Sequence, residues 1–203
     1  METSDYVAAL RLDGGHLALD FVNTLGGGLE LGPQPHDEHL RTYADLLAWS
    51  VRVGTLDEAA AERLAARDSA RALREAIELR ELADSVLRPI ADGSAPPADA
   101  LAELRERDRE ALSHARLEPG APVYRWRWED EDDPRRPLWP LAHATIELLT
   151  EGPLDLMKPC HGCRWLFLDR SKNHSRRWCS MEECGTSAKK RRYIERRRAL
   201  TES

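Results

Sequence analysis

The sequence predicts a mainly α body with a small β-hairpin or sheet (α+β), followed by a small C-terminal finger ending in a basic helix. Three observations carry this. Apolar residues recur at helical spacing through most of the first 154 positions. One stretch, HARLEPGAPVYRWRWED, alternates with period two. All four cysteines fall between Cys160 and Cys184. The length of 203 residues accommodates two parts, divided at 1–154 and 155–203.

The elements follow in order. HLALDFVNTLGG (16–27) reads as a short strand running into a helical turn and a Gly-rich stop. Residues 38–53 place Leu40, Tyr43, Leu47, Ser50 and Val51 at helical spacing, and Gly54 ends that run. Thr55-x-x-Glu58 has the form of a capping box and opens the next helix. From Asp68 to Arg88, Leu73, Ile77, Leu79, Leu82 and Val86 line one side of a long helix, which ADGSAPP (91–97) breaks. Leu101, Leu104 and Leu112 mark another helix. A hairpin then turns at Pro119-Gly120, with Val123, Arg125 and Arg127 on one side and Tyr124, Trp126 and Trp128 on the other. After the EDDPRRP loop, 138–151 returns to helix and stops at Gly152-Pro153.

A hydrophobic fraction of 41% supports a packed core, and the N-terminus lacks the basic start and apolar run of a signal peptide. No run of about 18 apolar residues occurs, so no membrane span is expected. The expected location is the cytoplasm, where clustered thiols stay reduced and serve metals more often than disulfides. The net charge of −6 conceals a division. Residues 158–203 hold 13 Lys and Arg against 5 Asp and Glu, a net of +8. Residues 1–157 hold 17 against 31, a net of −14. A basic partner-binding tail is joined to an acidic body.

The cysteines are spaced C-x2-C-x15-C-x4-C. Each close pair can form a tight knuckle, and the 15-residue span lets two knuckles meet across a short hairpin. Cys160, Cys163, Cys179 and Cys184 therefore read as four ligands of a structural Zn2+ in a zinc-ribbon-like finger. So small a fold needs such a staple. A redox Cys160-x-x-Cys163 lacks the βαβ context such chemistry uses. Four thiolates also leave no open position for a catalytic water. His161 and His174 are bystanders or substitute ligands.

Around the cysteines lie Arg164, Arg170, Lys172, Arg176 and Arg177, and AKKRRYIERRRAL follows as a basic helix. Lys172, Arg176, Arg177, Lys189, Lys190, Arg191, Arg192, Arg196 and Arg197 are the candidate nucleic-acid contacts. Neutralising phosphates releases counterions and gives affinity without sequence information. The alternative is a solvated charged helix.

Residues 158–198 resemble the CGNR-type zinc finger, a bacterial C-terminal domain. The matching residues are Cys160 and Cys163, Trp165-x-Phe167-x-Asp169, Ser171, SRRWCSMEECG (175–185) and Ala188-Lys189. LALDFVNTL (17–25) and YADLLAWSVRVGTLD (43–57) resemble the ABATE domain that precedes this finger. The resemblance implies a stress-responsive transcription regulator, with zinc and double-stranded DNA for the finger and a regulatory or ligand-sensing role for the body. The family's naming tetrapeptide here reads Cys184-Gly185-Thr186-Ser187. Thr186 and Ser187 thus replace the usual Asn and Arg, and one basic side chain near the site is lost.

In the body, His16, Asp20, Asn23, Thr24 and His143 are polar residues in apolar surroundings. Asp20 and Asn23 either line a pocket for a small effector or cap a helix and bond the following turn. Trp126 and Trp128 read as core or interface. No G-x-S-x-G, P-loop or H-E-x-x-H occurs, and catalysis is not expected. Two function classes stay open: a DNA-binding regulator, or a zinc-stabilised RNA- or protein-interaction module on a scaffold body. A homodimer suits a small finger that reads few bases, although no heptad supports it.

Overall fold

The computed structural model describes residues 7, 10–26, 38–67, 69–129 and 132–201; at 191, 192, 195, 196 and 198–201 it describes the backbone alone. Asp68, the expected start of the long helix, and Gly27 lie outside the described residues.

The first element corrects the sequence reading. Leu17–Val22 is a helix, α1, and not a strand. His16 stands in extended backbone at its N-cap, and its Nδ1 accepts from the Ala18 N–H at 3.3 Å. Ala18, Leu19, Phe21 and Val22 are all buried, so apolar residues lie on several sides and no single period is visible.

Helix α2, Tyr43–Arg52, begins at Thr42, which shares a capping box with Asp45. The Thr42 hydroxyl accepts from the Asp45 N–H at 3.1 Å, and the Asp45 carboxylate accepts from the Thr42 N–H at 2.9 Å. The box expected at Thr55 does not form. Asp57 caps α3, Glu58–Ala65, by accepting from the Ala60 N–H at 2.7 Å, and the Thr55 hydroxyl donates to the Ser50 carbonyl. Ser69 caps α4, Ala70–Ala91, the longest helix described. Helix α5, Ala98–Ser113, leads into the antiparallel hairpin β1, Ala115–Glu118, and β2, Arg125–Trp128. Helix α6 spans Leu138–Glu151. No helix among the described residues is long and apolar enough to cross a membrane.

The main core gathers Phe21, Trp49, Leu46, Leu64, Leu79, Leu104 and Leu141, with the Phe21 and Trp49 rings 5.7 Å apart. Arg80 of α4 is buried at its margin. Its guanidinium donates to both Glu38 oxygens at 2.6 and 2.7 Å and to the Thr24 hydroxyl at 3.3 Å. This pair fastens the bridge between Leu25 and Glu38, and removing one partner would strand a buried charge.

Beyond α6, a 3-10 turn at Leu154–Leu156 runs directly into β3, Met157–Pro159, which pairs antiparallel with β4, Leu166–Leu168. Met157, Leu166 and Leu168 join Ala18, Leu19, Val22, Ala83, Leu87 and Leu148 in a second core. Phe167, on the opposite face, packs with Cys160 and Cys179. Strand β4 is thus buried on both faces. A π-turn, Met181–Gly185, then opens the last helix, α7, Thr186–Thr201.

Because Leu148 is fully buried in the core shared by α6 and the β3–β4 hairpin, Leu148→Ala is expected to cost about 2–5 kcal/mol. Helical circular dichroism and tryptophan fluorescence should then melt together at a lower temperature. Two separated transitions would show that the hairpin folds independently.

Candidate metal centre and nucleic-acid interface

The four cysteine sulfurs all lie within 4.8 Å of one another. Two elements bring them there. The first knuckle is closed by the Cys160 N–H bonding to the Trp165 carbonyl at 2.8 Å. The second carries Cys179 and then Cys184 on the π-turn, where the Ser180 hydroxyl accepts from the Glu183 N–H. The knuckles are cross-linked by the His161 N–H bonding to the Arg177 carbonyl at 2.9 Å. Gly162 permits the approach, since a Cβ there would fall 2.8 Å from the Cys184 Cβ.

The donor set fits zinc. Cys163 and Cys184 stand 3.7 and 3.8 Å from Cys179, sulfur to sulfur. A tetrahedral zinc–sulfur bond of about 2.3 Å implies an edge of about 3.8 Å. The Cys160 thiol is held far below its ordinary value. Hydrogen bonds from the Cys163 and Cys179 thiols contribute most, followed by those from the Cys179 and Gly162 backbone N–H groups. Cys163 and Cys179 are pushed up chiefly by their hydrogen bonds to Cys160, and Cys184 by burial. Four crowded thiols cannot all ionise unaided, and a divalent cation would remove that penalty.

Next to the centre, Asp169 organises a loop. Its side chain is completely buried and receives Lys158 Nζ at 2.8 Å, the Ser171 hydroxyl at 2.6 Å and the Arg176 N–H at 2.8 Å. Burial alone would raise its pKa, but these donors hold it well below the usual carboxylate range. His174 closes the loop through Nδ1, 2.7 Å from the Asp169 carbonyl, and adopts a left-handed φ of 46°. Neither His174 nor His161 belongs to the four-sulfur cluster.

The basic residues divide by environment. Lys172, Lys189 and Lys190 are exposed, as are Arg177 and Arg197. Arg177 lies over the Trp178 ring at 5.5 Å and near His161. Arg176 is engaged inside the finger, with its guanidinium 4.8 Å above the Phe167 ring and bonded to the Cys179 carbonyl. The side chains of Arg191, Arg192 and Arg196 lie outside those described.

A family profile described as "ABATE: Putative stress-induced transcription regulator" matches residues 15–152. The chain belongs to the ABATE family. A second profile, the CGNR zinc finger, matches residues 157–197, and with four thiols at ligand distance the protein binds Zn2+. A search of curated proteins found no match.

The body grips the CGNR finger at four points, two from the matched ABATE residues and two from the segment just before them. The Asn23 carboxamide forms a reciprocal pair with Leu166 of β4, donating to its carbonyl and accepting from its N–H, both at 2.9 Å. The Leu168 N–H bonds to the Gly14 carbonyl at 2.9 Å. Asp84 of α4 meets Arg164 at 2.9 Å, and Arg11 meets Glu183 of the π-turn at 2.6 Å. Asp20 holds the Gly14 loop by accepting its N–H at 2.8 Å. A Cβ at Gly14 would sit 2.7 Å from that of Leu19. Asn23 and Asp20, singled out from sequence as effector ligands or caps, are therefore both committed to this junction. Sequence reasoning missed Asp169, Gly162, Arg11 and Asp84 as site residues. Only Asp169 had a local signal, the Asp-x-Ser turn pattern.

Asn23→Ala leaves the Leu166 N–H and carbonyl without their side-chain partner, which should cost about 1–3 kcal/mol and accelerate zinc loss to a chelator. Unchanged melting and zinc retention would show that the pair contributes nothing. Asp20 gives a pH test. Burial raises its pKa to about 6, only partly offset by the Gly14 N–H. The folded value exceeds the unfolded one of about 3.9. The folded state therefore holds an extra proton, and this contribution to stability is lost as pH rises from about 4 to 6. Asp20→Asn should flatten that stretch of the stability–pH curve and raise the melting temperature at neutral pH.

Proposed function

We propose that the protein is a zinc-dependent, double-stranded-DNA-binding transcription regulator of the cytoplasm, acting by binding and not by catalysis. Residues 155–203 form its reading head, and residues 1–154 respond to stress or to a small effector. Cys160, Cys163, Cys179 and Cys184 hold the zinc, whose role with four thiolates is structural. With the metal and four thiolates included, the +8 of the C-terminal segment becomes about +6.

The observation that carries this reading is the set of exposed cations, Lys172, Arg177, Lys189 and Lys190, on a finger in which Lys158 and Arg176 are engaged internally. Lys172 leaves the loop that Asp169 holds, and Lys189 and Lys190 lie in the first turns of α7. These side chains supply the phosphate contacts, while the Asp169 loop fixes where they stand. Thr186, where the family has Asn, donates its hydroxyl to the Met181 carbonyl and so helps to close the π-turn. Asp20 and Asn23 couple body to finger in this scheme and do not bind the effector themselves.

The test is a titration of zinc-loaded protein with labelled duplex DNA and single-stranded RNA across salt. Duplex should bind more tightly, and changing Lys189 and Lys190 together to Ala should reduce the slope of log affinity against log salt by about 2. Absence of duplex binding at low salt would overturn the reading, and preference for RNA would transfer it to an RNA-interaction module.

A further inference from the structure

Nine large apolar side chains are exposed among the described residues, and four of them, Leu117, Val123, Tyr124 and Trp126, belong to the β1–β2 hairpin. The register sets Leu117 opposite Trp126 and Arg116 opposite Arg127. One face therefore carries Leu117, Trp126 and Trp128, and the other carries Arg116, Glu118, Arg125 and Arg127. At its base the apolar face is anchored, since Trp128 packs on the main core and the rings of Trp126 and Trp128 both meet His143 edge-on. Further out, Leu117 is 51% exposed and Trp126 40%.

The ladder indicates which backbone groups point outward. The Glu129 N–H bonds to the His114 carbonyl at 2.7 Å. Alternation then makes Arg116 with Arg127, and Glu118 with Arg125, the hydrogen-bonded pairs. The N–H and C=O of Leu117 consequently point away from β2, along an edge with no further strand among the described residues. Such an edge beside an apolar face is a template for strand addition.

We propose that β1 pairs with β1 of a second copy about a two-fold axis through Leu117, making a four-stranded antiparallel sheet. Charge selects this edge and this occupant. The axis sets Arg116 of each copy opposite Glu118 of the other, on one face, while the two Leu117 residues exchange backbone hydrogen bonds. The same operation on β2, about Trp126, would set Arg125 against Arg127, and like charges directly opposite are destabilising. Pro119, which has no N–H, ends the pairing on each side. The apolar faces of both hairpins then form one continuous strip.

Sedimentation equilibrium of the zinc-loaded full chain tests this without reference to DNA. The wild type should sediment at twice its 23.0 kDa. Arg116→Glu alone and Glu118→Arg alone each place like charges at both contacts. Each should raise the dimer dissociation constant about tenfold or more. An equimolar mixture of the two variants should recover dimers, because each mutant contact then finds its opposite charge, and circular dichroism confirms that both variants fold. A wild type that stays monomeric to about 100 µM would overturn the proposal. So would single variants that dimerise like the wild type, or a mixture that recovers nothing.

Discussion

The structure depends on strand β4 being buried on both of its faces. Three residues accomplish this. Leu166 and Leu168 close the core made by α1, α4 and α6, while Phe167 floors the four-cysteine centre. A strand that short has little stability of its own. It is held by β3 on one side and, from the body, by the Asn23 carboxamide and the Gly14 carbonyl. The Asn23 amide serves both the N–H and the C=O of Leu166, groups that would be costly to bury unpaired. Metal site and helical body consequently share one strand, and neither has a complete core without it.

Electrostatics follow from the same arrangement. The finger carries most of the positive charge of the C-terminal segment, but its cations differ in what holds them. Lys158 and Arg164 are tied to Asp169 and Asp84, and Arg176 lies on Phe167. Internal anions therefore engage the cations nearest the body, and among the described residues Lys172, Lys189 and Lys190 are exposed. The Arg11–Glu183 pair continues this pattern on the far knuckle, where one acidic side chain of the π-turn is matched by a base from the body.

Much of the architecture was legible in the sequence. Helix α4 is legible because its buried residues lie along one face and leave a clear period, the hairpin because its residue types alternate about Pro119-Gly120, α6 because Gly152-Pro153 stops an apolar run, and the four cysteines announce the metal centre by spacing alone. Helix α1 was misread for the opposite reason: LALDFV is covered on several sides, and its cap is His16, not one of the usual Ser, Thr, Asp or Asn residues. The capping box was sought at Thr55 and lies at Thr42, where Asp45 replaces the Glu of the standard pattern. The role of Asn23 could not be read locally, because its partner Leu166 is 143 residues away. Charge divides the chain near residue 157, yet charge is silent about which apolar faces meet across that division. Arg176 looks like any other finger cation until Phe167 and the Cys179 carbonyl are seen beside it.

The junction between body and finger contains no slack: helix α6 ends at Glu151, and only Gly152 and Pro153 precede the 3-10 turn that enters β3. A head on a flexible tether searches space independently of what carries it. This one is tied to the body through β4 and has the geometry of a lever arm. At a rise of about 1.5 Å per residue, the 16 residues of α7 reach about 24 Å from the π-turn. A tilt of about 5° at β4 would sweep the far end of such an arm through about 2 Å, comparable with the difference between a made and a missed hydrogen bond. Small repacking around Asn23, Leu166 and Leu168 is thus amplified at the tip of the basic helix.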